Sequence, residues 1–161
     1  GTLKGRLHGG ANQRAMQMLL EIDKMGNTKE YITDALAAKK RIMGFGHRVY
    51  KTIDPRAVET RDLVCKIDDE EEEPHWCTLA LDVAETVMEA KGLEPNVDFF
   101  TAPLLYTLGI PLDLFTPVFA FSRIAGWTAH VLEQYEDNRL IRPRLRYAGP
   151  QEQTYTPIEE R

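Results

Sequence analysis

The segment from Leu112 to Asn138 constrains this chain more than any other. Phe115, Val118, Phe119, Phe121, Ile124, Ala125, Trp127, Ala129 and Leu132 follow a helical pattern among small residues, and Pro117 stands early enough to occupy a first turn. Apolar side chains spread round more than one face of such a helix, so it expects burial on several sides. It is no membrane span, because Asp113, Pro117, Arg123 and His130 interrupt it well short of about 20 continuous apolar residues. The rest of the chain repeats the helical period. Ala15, Leu19, Ile22 and Met25 predict a helix fed by the Gly9-Gly10 turn and stopped at Gly26. Thr28 is the expected N-cap of a second helix, which carries Tyr31, Ile32, Ala35 and Leu36 and closes on the basic cluster Lys39-Lys40-Arg41. A third follows Pro55, a fourth runs from Trp76 to Gly92, and a fifth starts near Asp98 with Pro103 in its first turns. Between the second and third, Ile42 to Arg56 has no period but holds Gly44, Gly46, His47, Arg48 and Lys51, the profile of a polar loop with a permissive backbone. No alternating stretch of useful length occurs, so the expected fold class is all-α.

Composition narrows the function classes. The 161 residues are 43% hydrophobic, which suits one globular unit, and 20 Lys+Arg against 25 Asp+Glu leave a formal charge of -5. An acidic chain offers nucleic acid no electrostatic footprint, so any anionic ligand must be held by local basic clusters. The acidic run Asp68 to Glu73 reads as a solvated loop. Cys65 and Cys77 match no short-spaced metal or redox pattern and are expected as reduced thiols in a cytoplasmic protein. Arg139 to Arg161, broken by Pro143, Gly149, Pro150 and Pro157, reads as an extended arm that needs a second surface. The opening Gly1 to His8 has neither an initiator Met nor a leader pattern and reads like mid-chain sequence.

Several residues carry chemistry: His8 beside Gly9-Gly10, His47 after Gly44-Phe45-Gly46, Asp98 at a helix start, and Arg56, Arg123 and Arg142. Taken singly, each reads more readily as a cap or a satisfied loop residue. Arg123, between Phe121 and Ile124, needs either an internal carboxylate or a bound anion, and from local context the ion pair is slightly favoured. A metal site from His8, His47, His75 and His130 is disfavoured, because none of them has the close i, i+3 or i+4 spacing of ligands.

Taken together, six blocks change the reading. Leu7-His8-Gly9-Gly10-Ala11-Asn12, Gly44-Phe45-Gly46-His47-Arg48-Val49-Tyr50-Lys51, Asp54-Pro55-Arg56, Asn96-Val97-Asp98-Phe99, Ser122-Arg123-Ile124-Ala125-Gly126-Trp127 and Arg142-Pro143 occur in this order. With them the chain resembles the citrate synthase family over essentially its whole length. The resemblance implies a multihelical fold of which this is the C-terminal part. Residues 1–10 would end a large-domain segment, 11–110 would form the small, CoA-binding domain, 111–138 the large domain's long helix, and 139–161 the C-terminal arm. Family members are more than twice as long, and the upstream part would supply a further oxaloacetate-binding histidine.

The implied reaction joins acetyl-CoA to oxaloacetate, giving citrate and CoA in the tricarboxylic acid cycle, with no cofactor beyond these substrates. By the resemblance Asp98 is the base, while His8 and His47 are the other two catalytic residues. His47, Arg56, Arg123 and Arg142 bind oxaloacetate, with Arg142 donated across a homodimer by the arm. Ile42, Gly44, Gly46, Lys51 and Asn96 are the CoA contacts. Alternatives left open are 2-methylcitrate synthase using propionyl-CoA, a citrate-cleaving lyase module, and a non-catalytic CoA-binding or dimerisation fragment. A separate upstream half of the enzyme is a further expected partner.

Overall fold

The computed structural model describes residues 3, 5, 9–50, 52–71 and 75–161. Among the described residues six α-helices carry the fold: α1 (Ala11–Met25), α2 (Thr28–Ala37), α3 (Pro55–Asp68), α4 (Trp76–Lys91), α5 (Val97–Thr107) and α6 (Phe115–Glu136), with 3-10 turns at Leu112–Leu114 and Ile158–Glu160. Among the described residues there is no strand, only an isolated bridge between Phe45 and Pro95. The chain divides into two compact units, Gly1–Ile124 and Ala125–Arg161.

In the first unit α5 is the centre. Phe99, Phe100, Thr101, Ala102, Pro103 and Leu105 are all buried, and the helix packs chiefly against α3 and α1. Such a helix has no polar face, because neighbours cover it on more than one side. Pro103 falls inside α5 rather than in its first turns, in a helix the surrounding core holds together. Met16, Leu19 and Ile22 of α1, Ile32 of α2, Val64 of α3, and Val83 and Val87 of α4 complete the core. Asn12 of α1 donates through Nδ2 to the Phe115 carbonyl at 3.3 Å and ties the first helix to the start of the last.

Helix ends show where local reading stops short. The cap of α2 is Asn27, not Thr28: Asn27 Oδ1 accepts the Glu30 N–H at 3.1 Å, and Thr28, the first helical residue, donates its hydroxyl to Asp82 of α4. Asp68 is not part of a solvated loop. It is 2% exposed, and its two carboxylate oxygens accept the Trp76 and Cys77 N–H groups at 3.2 and 3.0 Å, so an acid at the end of α3 caps α4.

The cysteines also depart from expectation. Cys65 of α3 and Cys77 of α4 form a disulfide across a Cα separation of 4.8 Å. The chain turns back between the two helices and brings residues 12 apart in sequence into register, which no short-spaced motif announces. Along α6 only Phe115 is buried, although the sequence predicts burial on several sides; Phe121, Ile124, Trp127, Val131, Leu132 and Tyr135 are exposed within this chain. In the second unit the segment after α6 has no regular structure before the turn at Ile158–Glu160 and is largely exposed, with Leu140, Ile141 and Leu145 uncovered. No helix of the described residues is long and apolar enough to cross a membrane.

The disulfide closes a short loop, so reducing it, or making Cys65→Ser with Cys77→Ser, should lower unfolding free energy by about 2–3 kcal/mol. Denaturant unfolding with and without reductant checks this, together with the absence of free thiol in the untreated protein.

Candidate active site

The loop between α2 and α3 is fastened to the start of α5. The Gly46 N–H donates to the Glu94 carbonyl at 2.8 Å, the Asn96 N–H donates to the Gly44 carbonyl at 2.9 Å, and Asn96 Nδ2 donates to the Gly46 carbonyl at 2.9 Å. Gly44 is required at this seam. It holds φ at 85°, and a Cβ there would lie 2.8 Å from the Phe99 Cα, so only the bare backbone can approach α5 this closely. Phe45 then stacks on Phe99, with ring centroids 4.5 Å apart.

His47 follows directly. Its Nδ1 accepts two backbone N–H groups, from Val49 at 3.0 Å and Tyr50 at 3.1 Å, and its ring lies against that of Tyr50 with centroids 4.6 Å apart. A neutral ring with Nδ1 so occupied carries its proton on Nε2. Arg56 Nη2 also approaches Nε2 at 3.4 Å, which would ask that nitrogen to accept. The two shorter backbone bonds to Nδ1 outweigh this single longer approach and favour the tautomer with the proton on Nε2.

Asp54 is the residue sequence reasoning passed over. Its backbone carbonyl and side chain begin α3, with Pro55 at the first helical position, and this cap signature is visible in the sequence. The structure adds more. Oδ1 accepts from the Arg56 N–H and Nε, both at 3.0 Å, and Oδ2 accepts from Arg56 Nη2 and from the Val97 N–H at 3.3 Å, with His47 Nε2 4.0 Å away. The Asp54 side chain is fully buried, whereas that of Arg56 is half exposed. The hydrogen bonds from Arg56 hold the carboxyl below the usual carboxylate range despite burial, and the same contact raises the Arg56 guanidinium.

His47, Arg56 and Val97, though not Asp54, line one cavity of about 890 Å³ within the first unit. Asn12 and Arg14 come from α1, Arg41 through Tyr50 from the loop, Asn96 to Asp98 from the first turn of α5, and Thr116, Phe119 and Arg123 from one side of α6. Its described lining residues include five arginines, Arg14, Arg41, Arg48, Arg56 and Arg123, and one carboxylate, Asp98. A chain of net charge -5 thus presents a locally cationic cavity suited to anions. Among the described residues Arg123 forms no salt bridge, so the internal ion pair favoured from local context is not found among them.

Of the residues expected at a site, His47, Arg56, Asp98, Arg123, Ile42, Gly44, Gly46 and Asn96 line this cavity. His8 and Lys51 lie outside the described residues. Arg142 is exposed and belongs to the second unit. Gly44, Gly46 and Asn96, expected as CoA contacts, have the backbone and amide groups named above engaged within the protein.

A helical chain presenting a histidine, an aspartate and a cluster of arginines on one cavity has the groups that bind anions, and the comparisons specify the family. The profile of the citrate synthase C-terminal domain matches residues 1–144. Citrate synthase 2 of Bacillus subtilis is 50% identical over 161 residues, covering all of this chain and 43% of that protein. The 2-methylcitrate synthase 1 of Corynebacterium glutamicum is 45% identical over 162 residues, covering all of this chain and 42% of that protein. The citrate synthase of Thermoplasma acidophilum, solved as a ternary complex with carboxymethyl coenzyme A and oxaloacetate, superposes with a TM-score of 0.80 at 41% identity, covering 99% of this chain and 44% of that one. The chain belongs to the citrate synthase family, and it spans under half the length of these relatives.

Asp54→Asn should cost about 1.5–3 kcal/mol at neutral pH, since it removes charge-assisted hydrogen bonds at a buried carboxylate. Because the folded carboxyl titrates lower than the unfolded one, the wild type should lose this advantage as pH falls below about 4, and the variant should not. Denaturant midpoints of both proteins from about pH 7 down to about pH 2 test the convergence.

Proposed function

We propose that this chain is the catalytic C-terminal part of an enzyme condensing acetyl-CoA with oxaloacetate to citrate and CoA. The observation that carries the reading is His47, held from behind through Nδ1, on the same cationic cavity as Asp98. The methyl group beside a thioester is a very weak acid, so its proton can pass to the Asp98 carboxylate only as the developing enolate oxygen is stabilised. His8 is assigned that stabilisation. The enolate carbon then bonds to the oxaloacetate ketone carbon, whose oxygen becomes an alkoxide and takes the proton from His47 Nε2. Water finally cleaves the thioester, releasing citrate and CoA.

Oxaloacetate is a dianion, and Arg56 and Arg123 on the cavity are the guanidinium partners for its carboxylates, with Arg142 as a third, contributed by a dimer partner's arm. Asp54 fixes the Arg56 fork so that less freedom is lost on binding. The loop from Ile42 to Gly46 together with Lys51 is assigned to CoA. In the domain division we favour, 11–110 is the small domain, 111–138 the long helix of the large domain and 139–161 the arm. Relatives more than twice as long offer the surfaces that would cover the apolar side chains left exposed on α6 and the arm. The tricarboxylic acid cycle and a cytoplasmic location complete the reading, although the disulfide removes the thiol-based argument for the latter.

The 45% identical 2-methylcitrate synthase supports propionyl-CoA as a second acyl donor, one methylene larger and worth about 1–3 kcal/mol of discrimination in a pocket. Assays with both thioesters, on the enzyme at the family's full length, distinguish the donors. In the same enzyme Asp98→Asn should lower condensation by about 10²–10⁴-fold while leaving CoA affinity within about threefold. Equal loss of turnover and CoA binding would contradict the role of Asp98, and condensation absent from the wild type would contradict the reading as a whole.

A further inference from the structure

Asn96 joins the two halves of the cavity's chemistry. Its Oδ1 accepts the Asp98 N–H at 3.0 Å and so caps α5, while its Nδ2 donates to the Gly46 carbonyl at 2.9 Å. Gly46 immediately precedes His47, and Asp98 opens α5 two residues after Asn96. The backbone of Asn96 makes a third tie, donating to the Gly44 carbonyl at 2.9 Å. One short side chain therefore bridges the peptide next to the histidine and the peptide of the aspartate.

We propose that Asn96 is a positioning residue that sets the spacing of His47 and Asp98 by tying Gly46 to the first turn of α5. The inference rests on the condensation reading above and replaces a CoA contact with an internal one. Condensation needs both groups placed at once, the base at the methyl carbon and the histidine at the ketone oxygen, and an error of about 1 Å can cost about 10²-fold. Removing the methyl proton alone does not use His47 as a proton donor. The spacing should therefore matter to the bond-forming step far more than to proton removal.

Asn96→Asp isolates the tie. A carboxylate still caps the Asp98 N–H, but its other oxygen faces the Gly46 carbonyl, acceptor against acceptor. Asn96→Ser likewise keeps a cap and lacks the reach to Gly46, which guards against an effect of the added charge. In the full-length enzyme both variants should keep the acyl-CoA KM and the CoA Kd within about threefold while kcat for condensation falls by about 10²-fold. Deuterium uptake into the acetyl-CoA methyl group, measured with malate in place of oxaloacetate so that no ketone is present, should fall by no more than about threefold. In both variants, hydrogen exchange at the Gly46 amide and at the backbone amide of the substituted residue should quicken while the Asp98 amide stays protected.

A rise of about tenfold or more in acyl-CoA KM with kcat unchanged would overturn the proposal in favour of a direct CoA contact. Equal falls in condensation and deuterium uptake would overturn it in favour of a merely structural role. Unaltered exchange at the Gly46 amide would show that the tie does not hold the loop, whatever the catalytic result. Lack of condensation by the wild type would count against the functional reading instead, and the exchange measurement would still decide the tie.

Discussion

A carboxylate taken out of water must be met by donors or it gives up its charge, and Asp54 is met from three directions at once. It caps α3, grips the guanidinium of Arg56 in a two-pronged bond, and accepts the N–H of Val97 at the start of α5. Those contacts bring the His47 loop, the first turn of α3 and the first turn of α5 to one point. Losing any of them would leave a buried charge short of partners, so the arrangement resists partial rearrangement. The groups facing the cavity are in this sense ordered by a group that does not itself line it.

The seam between the loop and α5 extends that order. Glycine at position 44 lets two backbones meet where a Cβ would collide with Phe99, and the Phe45 ring closes over the contact. From this seam the chain turns into His47, whose ring is gripped from behind by two amides and flanked by Tyr50. Arginines from α1, the loop, α3 and α6 then make an acidic protein locally cationic. The burial of α5 on most of its surface is what makes its first turn a fixed reference for Asp98.

How much of this was legible beforehand follows from the range of each interaction. The helices were, because their apolar period is local, and His47, Arg56, Asp98 and Arg123 on the cavity were named through ordered motifs, whereas Arg14, Arg41, Thr116 and Phe119, which also line it, stand outside those motifs. Asn27 was missed as a cap because Thr28 is an equally good capping residue one position on, and only its contact with Asp82 decides between them. Asp68 looked like one acid among several, since nothing local says that α4 will begin beside it. The cysteine pair depends on the turn between α3 and α4 in the same way. Asp54 went unread even as a cap, although it stands directly before Pro55 at the start of α3, and its hold on Val97 spans 43 residues and cannot be read from spacing. For α6 the pattern described an apolar helix, but the burial it predicts on several sides is not found within this chain, where only Phe115 is buried.

The proposed condensation depends on His47 being preset, by the protein's own backbone, to offer Nε2–H to a ligand oxygen. That state is visible in a long-range proton–nitrogen correlation spectrum of the protein with its histidine rings labelled in nitrogen-15, recorded without ligand near neutral pH. The His47 ring should carry its proton on Nε2, with Nδ1 showing the signature of an unprotonated acceptor. A ring protonated on Nδ1 would contradict this, because the Val49 and Tyr50 amides could not then both donate to that nitrogen.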